Sequence, residues 1–125
     1  MDRLRVDSFS GLSKITQAFR TQYYSMVKKV LVERRQVIPC YAGFASAQIS
    51  PDGEVWTCCI RAEPIGNLRE SGYNFSKVWY SEKANALRRS IKKRECYCPL
   101  ANASYTNMLH HIPTLARVGW RVMTS

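Results

Sequence analysis

The sequence has no long apolar run and few acidic residues. It contains no stretch of about 18 apolar residues, so it predicts no transmembrane helix. The opening residues, Met1 to Ser8, lack the apolar segment of a secretory signal. We therefore expect a cytoplasmic protein with no membrane partner. In a reducing compartment its five cysteines are expected to be metal ligands or free thiols rather than disulfides.

Signatures of catalysis are also missing. The sequence has no Gly-rich phosphate loop, no pair of carboxylates with catalytic spacing and no nucleophile beside a base. Asp52 and Glu54 lie in a predicted turn without an acid or base partner. His110 and His111 are consecutive, and consecutive residues on a helix point about 100° apart, so the pair is not expected to bind one ion. We interpret both histidines as surface or packing residues.

Size and charge restrict the partners of the chain. With 125 residues, 46% of them hydrophobic, it can form one small core, and a domain of this size gains stability from a bound metal. Its 19 basic and 9 acidic residues give a formal net charge of +10. Such a surplus is typical of a solvated basic surface, an anionic partner or an anionic site that needs compensation. Nucleic acid is a further option, but no finger, helix-turn-helix or RRM signature supports it.

The cysteines form two groups. Cys40 and the adjacent pair Cys58 and Cys59 bracket a predicted hairpin, and Cys96 and Cys98 stand one residue apart farther along. Four converging thiolates would make a soft-metal or iron–sulfur site. The long, uneven gaps favour iron–sulfur ligation, in which each thiolate binds a different iron, over zinc, which usually takes a short Cys-x2-Cys loop. Zinc, an empty site and disulfides stay open as alternatives.

Cys58 and Cys59 compete for one place in such a site. Both fall in a predicted strand over 54–60, where consecutive side chains point to opposite faces. Only one of the two thiols can therefore face the metal. The other is expected to be a buried apolar thiol, which is a common fate for cysteine.

An amphipathic helix over about 12–35 is predicted before the first cysteine. A stripe of apolar residues recurs there at intervals of three or four: Leu12, Ile15, Phe19, Tyr23, Met26 and Val30. The helix ends before Pro39, because the residue preceding a proline is disfavoured in the helical region. A polar lead-in, 1–10, comes before it. If the rest of the chain does not cover the stripe, it is a docking face for another domain or a second copy.

The remaining segments predict a small α+β fold. A strand over 45–49, a turn from Ser50 to Gly53 and a returning strand over 54–60 make a β-hairpin. A short extended piece within 63–70 allows a third strand. Helices are predicted in four further places: 75–80, 82–94 with Ser81 as N-cap, 103–111 with Asn102 as N-cap, and from Pro113 to a stop at Gly119. The fold is thus an N-terminal helix, a hairpin and C-terminal helices around a Cys-ligated metal cluster.

The predicted helix over 82–94 has a basic face. Ala84, Leu87 and Ile91 lie on its apolar side. Six basic residues lie on the other side: Lys83, Arg88, Arg89, Lys92, Lys93 and Arg94. We interpret this face as a solvated surface that also offsets the negative charge of a cluster. Binding of an anionic substrate or of nucleic acid is the alternative.

Several of these features occur together in one known family. They are the spacing Cys40, twelve residues, Gly53, four residues, Cys58; the hairpin; the phrase Ile65-Gly66-Asn67-Leu68 followed by Val78-Trp79 and a basic helix; and the run Cys96-Tyr97-Cys98-Pro99. This combination resembles the auxiliary-cluster domain, of the SPASM or shorter twitch type, that follows the barrel of radical SAM enzymes. The resemblance covers about 38–105.

The resemblance implies a cofactor, a ligand set and a role. It implies one 4Fe-4S cluster held by Cys40, Cys58, Cys96 and Cys98, with Cys59 as the alternative to Cys58. The role would be to relay electrons or position a substrate for a partner radical SAM barrel. It also divides the chain into a lead-in and linker helix, 1–37, and an auxiliary cluster domain, 38–125.

One departure from the family limits this hypothesis. The sequence has no Cys-x3-Cys-x2-Cys motif and no barrel, so the chain is not expected to cleave SAM or to be catalytic alone. Its partner would be a separate barrel, or a second copy that contacts it through the N-terminal helix. The rival hypothesis is a structural zinc module whose basic face binds nucleic acid or an acidic protein.

Overall fold

The computed structural model describes residues 11–125, and the predicted lead-in over 1–10 lies outside them. The described chain is α+β, as predicted. Its elements in order are α1 (Leu12–Glu33), β1 (Gln48–Ile49), β2 (Glu54–Trp56), β3 (Pro64–Asn67), α2 (Phe75–Trp79), α3 (Glu82–Lys92), α4 (Ala101–Leu109) and α5 (Ile112–Thr124). None of the helices between residues 11 and 125 is both long and apolar enough to span a membrane.

The strands form one antiparallel sheet in the order β1-β2-β3. The predicted turn closes the first hairpin: the N–H of Gly53 donates to the carbonyl of Ser50 at 3.0 Å, and Gly53 has a φ of 88°, which suits glycine. The third strand is present and pairs with β2. β2 ends at Trp56, earlier than predicted, where its partner Pro64 has no N–H to continue the ladder.

In the segment Ile65-Gly66-Asn67-Leu68, the first three residues each make a contact that the fold requires. Ile65 is buried with Val55 and Val78 in the sheet-side core. Gly66 lets α2 approach closely, because a Cβ there would lie 2.7 Å from Cγ1 of Val78. The side chain of Asn67 donates to the carbonyl of Asp52 at 3.2 Å, which ties β3 to the hairpin turn.

The basic face of α3 differs from the prediction at three residues, because the helix ends at Lys92, before Lys93 and Arg94, and Arg88 packs inward. Ser81 caps the helix as predicted, its hydroxyl accepting from the N–H of Ala84 at 3.2 Å. Arg88, however, packs inward: its Nε donates to the carbonyl of Gly43 and its Nη2 to that of Trp79, both at 2.5 Å. Its guanidinium also lies 4.5 Å from the centre of the Trp79 ring. A charged side chain therefore joins the loop before β1 to α2.

A second core joins α1 to the C-terminal helices. Met26 and Val30 are buried against Met108 of α4, with Tyr23 and Tyr105 packed around them. The stripe predicted on α1 is thus covered at its C-terminal half, whereas Leu12 at its start is 82% exposed. Helix α1, which was predicted to be a linker, is therefore part of the hydrophobic packing of the described chain.

The last two helices differ from the prediction at their ends. α5 passes through Gly119 and continues to Thr124, because its inward face of Thr114, Val118 and Val122 recurs every four residues across the glycine. α4 begins at Ala101, so Asn102 lies inside the helix and is not its N-cap. The prediction relied on single residues, Gly119 as a stop and Asn102 as a cap, and both lie inside helices in the structure.

Replacement of Arg88 by glutamine is expected to lower the free energy of unfolding by about 2 kcal/mol. The change removes two hydrogen bonds from a charged donor and the contact with Trp79. Arg89→Gln is the matched control, since it removes the same charge from an exposed ion pair with Glu82 and should cost less than about 0.5 kcal/mol. Urea denaturation of both variants measures the difference, and equally small effects would contradict the inward role of Arg88.

Candidate metal centre

Four cysteines line one cavity. Cys40 follows α1, Cys58 follows β2, and Cys96 and Cys98 follow α3, and all four are free thiols. The rest of the wall is mainly apolar and includes residues of α1, α3 and α4. The space is about 40 Å³, room for roughly three waters. Because a metal–thiolate bond of about 2.3 Å places the metal inside the normal contact distance of sulfur, a thiolate-bound group needs less free space than an unbonded ligand.

Cys59 lies elsewhere. It lines a neighbouring cavity with Cys58, Thr57 and the first turn of α4, and it is not part of the wall that the four cysteines share. The prediction separated Cys58 from Cys59 by placing them on opposite faces of a strand. In the structure both lie beyond the end of β2, so a different local geometry separates them. Within the described residues, the buried hydroxyl of Thr57 has no hydrogen-bond partner.

Gln36 joins the two cysteine-bearing segments. This buried side chain donates through Nε2 to the carbonyl of Cys96 at 2.7 Å, and its Oε1 accepts from the N–H of Cys40 at 3.3 Å. Nε2 also lies 3.9 Å from the sulfur of Cys96. One amide thus satisfies backbone groups on both sides of the cavity, and no sequence pattern had singled it out.

Two further side chains brace the loops that carry the thiols. The buried side chain of Asn107 on α4 accepts from the N–H of Tyr41, next to Cys40, at 2.7 Å. The hydroxyl of Tyr23 on α1 donates to the carbonyl of Pro99, next to Cys98, at 2.7 Å. Both helices therefore hold the backbone directly beside a cysteine.

Burial raises the pKa of both thiols of the last pair. Burial raises the pKa of the Cys96 thiol, and the nearby guanidinium of Arg61 offsets part of that rise. Burial also raises the pKa of Cys98, partly offset by the N–H of Leu100, which donates to the sulfur. The N–H of Ile60 donates to the sulfur of Cys58 at 3.3 Å. Metal binding here would release protons, and these N–H donors would then stabilise the thiolates.

Arg61 is the cation that lies beside the thiols. It lines the cavity, donates through Nη1 to the hydroxyl of Ser90 at 2.6 Å and pairs through Nε with Glu63 at 3.2 Å. The sequence had pointed to the basic face of α3 for charge compensation. The structure places this loop residue next to Cys96 instead, and its only sequence signal is a position shortly after the cysteine pair.

The two histidines lie outside the cavity wall. The Nδ1 of His110 is 2.8 Å from the carbonyl of Thr106, and its ring stacks on Tyr41 at 4.6 Å between centres. The Nδ1 of His111 is 2.8 Å from the hydroxyl of Thr114. Both make packing or capping contacts that fit their interpretation as surface or packing residues.

The donor set fits a thiolate-bound metal group. Sulfur is the ligand atom that iron–sulfur clusters and zinc both accept, and the four thiols surround a shared, mostly apolar space. Among residues 11–125, no three His, Cys, Asp or Glu side chains are close enough together to hold a single ion. The four cysteines therefore share one cavity that a thiolate-bound group could occupy.

Comparison with known families identifies this region. Residues 40–99 match the model of the SPASM family, an iron–sulfur cluster-binding domain. The resemblance inferred from the cysteine spacing and the hairpin is therefore confirmed over that range. Neither the comparison with curated proteins nor the comparison with solved structures gave a match.

Replacement of Gln36 by leucine is expected to lower the free energy of unfolding by about 2 kcal/mol. A side chain of similar size without an amide leaves the carbonyl of Cys96 and the N–H of Cys40 without their partner. Gln17→Leu on α1 is the control, because that side chain lies outside the cavity wall. Urea denaturation under reducing conditions compares the two, and a loss no larger for Gln36 than for Gln17 would show that the bridge contributes little.

Proposed function

We propose that the SPASM-type region over 40–99 binds one 4Fe-4S cluster through Cys40, Cys58, Cys96 and Cys98. The observation that carries the proposal is the single cavity that these four thiols line, although they come from three separate segments of the chain. Since each thiolate of a cubane binds a different iron, the ligands surround a volume. This requirement matches the arrangement of the four thiols better than the tight tetrahedron of a zinc ion, in which sulfurs stand about 3.8 Å apart.

The surroundings of the cavity suit a redox group. A cluster, when bound, would supply one-electron transfer. The N–H groups of Ile60 and Leu100 donate to ligand sulfurs, and Arg61 adds positive charge beside Cys96. Hydrogen bonds to sulfur and nearby cations favour the more negative, reduced state, so these residues would raise the reduction potential.

A partner barrel is the second part of the proposal. SPASM domains usually accompany a radical SAM domain, and this sequence has no radical-generating cysteine motif of its own. The ends of α1 and α5 lie side by side, since Nζ of Lys14 donates to the carbonyl of Ser125 at 3.4 Å. Leu12, Trp120 and Met123 are exposed on these two helices. We propose that this apolar end docks on the barrel, for which the chain relays electrons or positions a substrate.

Replacement of the four ligand cysteines by serine, one at a time, is expected to abolish or strongly reduce cluster binding. Cys59→Ser is the matched control and should keep the cluster, because Cys59 does not line the cavity that the four proposed ligands share. After anaerobic reconstitution, the parent and Cys59→Ser should show broad visible absorbance with about four irons and four sulfides per chain. Colourless protein with one tightly bound zinc would favour the structural zinc module. Loss of iron in Cys59→Ser, with iron retained in Cys58→Ser, would show that Cys59 is the ligand in place of Cys58.

Replacement of Arg61 by glutamine is expected to lower the reduction potential of the reconstituted protein by tens of millivolts without loss of iron. The change removes a positive charge near Cys96 while leaving all four thiols in place. Arg69→Gln removes the same charge from an exposed residue outside the cavity wall and serves as the control. Spectroelectrochemical titration measures both, and equal shifts would mean that only the overall charge of the chain matters.

A further inference from the structure

Cys40 also lines a second, open cleft that the proposed function does not use. The cleft has a volume of about 460 Å³. It shares Gln36, Cys40 and Ile91 with the cavity that the four cysteines line, which we call the metal cavity. Five further residues complete it, and we call this surface the basic cleft: Pro39, Tyr41, Phe44, Lys92 and Arg94. Its size is within the range of sites that bind small organic molecules.

The charge of the basic cleft has one sign. Lys92 and Arg94 both line it, and no acidic residue does. Neither cation forms an ion pair within residues 11–125, where the pairs are Glu33 with Arg35, Glu63 with Arg61 and Glu82 with Arg89. Two cations without a carboxylate partner, at the edge of a concave surface, favour an anionic ligand.

Two aromatic residues, Tyr41 and Phe44, also line the basic cleft. Tyr41 is held at its backbone by Asn107, and its ring stacks on His110 at 4.6 Å between centres. Phe44 is 45% exposed, and its N–H donates to the carbonyl of Tyr41 at 2.9 Å, which fixes it one turn away. The flat ring of a ligand could therefore pack on these two rings while an anionic group of the same ligand contacts Lys92 and Arg94.

Arg94 follows the C-terminal end of α3, where it contacts two backbone carbonyls. Its φ is 60°, in the left-handed region that a residue other than glycine adopts at a cost of about 1–2 kcal/mol. Such a cost persists where the surrounding structure imposes it. Here the N–H of Arg94 donates to the carbonyl of Ile91 at 3.0 Å, and its Nη1 lies 3.5 Å from the carbonyl of Gln36. The guanidinium is thus held at the rim of the basic cleft.

We propose that the basic cleft binds an aromatic carboxylate, with the carboxylate on Arg94 and Lys92 and the ring on Tyr41 and Phe44. A guanidinium presents two parallel N–H donors that match a carboxylate, which favours this anion. The ligand would lie against Gln36 and Cys40, so it would sit next to the metal cavity. The site needs no bound cluster, and its failure would leave the proposed cluster function unaffected.

A pair of probes that differ only in charge tests this site. N-acetyl-L-phenylalanine carries the carboxylate, and N-acetyl-L-phenylalaninamide does not. Ligand-observed NMR titration of the purified reduced chain should show the acid binding about tenfold more tightly than the amide, as expected for a charge-assisted hydrogen bond. The double variant Lys92→Gln with Arg94→Gln should bind the acid and the amide with equal affinity. Phe44→Ala should lower the affinity for both probes.

The control variant removes the same number of positive charges from residues that do not line the basic cleft. Lys83→Gln with Lys93→Gln removes two charges from exposed positions of the same segment that do not line the basic cleft. It should leave the affinity for both probes unchanged. The proposal is wrong if the acid and the amide bind equally, if neither binds at millimolar concentration, or if this control weakens the acid as much as the cleft variant does.

Discussion

The structure depends on one side chain that satisfies two distant pieces of backbone. The amide of Gln36 holds the carbonyl of Cys96 and the N–H of Cys40, residues more than fifty positions apart in the chain. A buried amide left without partners would be costly, so its geometry fixes where both segments stand. Once they are fixed, the thiols on them face a common space, and a metal group could bind without first paying the entropy of closing so long a loop.

The position of Gln36 also explains why α1 belongs to the site. Gln36 lies three residues after the end of α1, and Met26 and Val30 of that helix form part of the cavity wall. Tyr23, one turn earlier, holds the carbonyl of Pro99 beside the last cysteine. A helix that the family resemblance treats as a linker therefore supplies packing and hydrogen bonds to the cavity that the four cysteines line, although the matched family region begins only at residue 40.

The sequence predicted the elements whose causes are local. The turn from Ser50 to Gly53 and the cap at Ser81 each depend on hydrogen bonds within a few residues, and both were predicted correctly. Gln36, Asn107 and Arg61 were not predicted, because each acts through a partner that is brought near only by the complete fold. The contact of Asn107 with Tyr41 spans 66 positions, for example, and no periodicity marks it. The extension of α5 past Gly119 was missed for a related reason, since packing of its inward face outweighs one poor helix former.

The excess of positive charge illustrates the same limit in another way. A net charge of +10 shows that cations exceed anions, but not where they act. In the fold, Arg88 is turned inward to join two segments, Arg61 lies beside a thiol, and Arg94 stands at the rim of an open cleft. The guanidinium suits all three places because its planar donors can satisfy carbonyls as well as offset charge. The net charge predicts that anions are attracted to the chain. Only the positions of individual arginines show which of them makes a structural contact, which lies beside a thiol and which lines an open cleft.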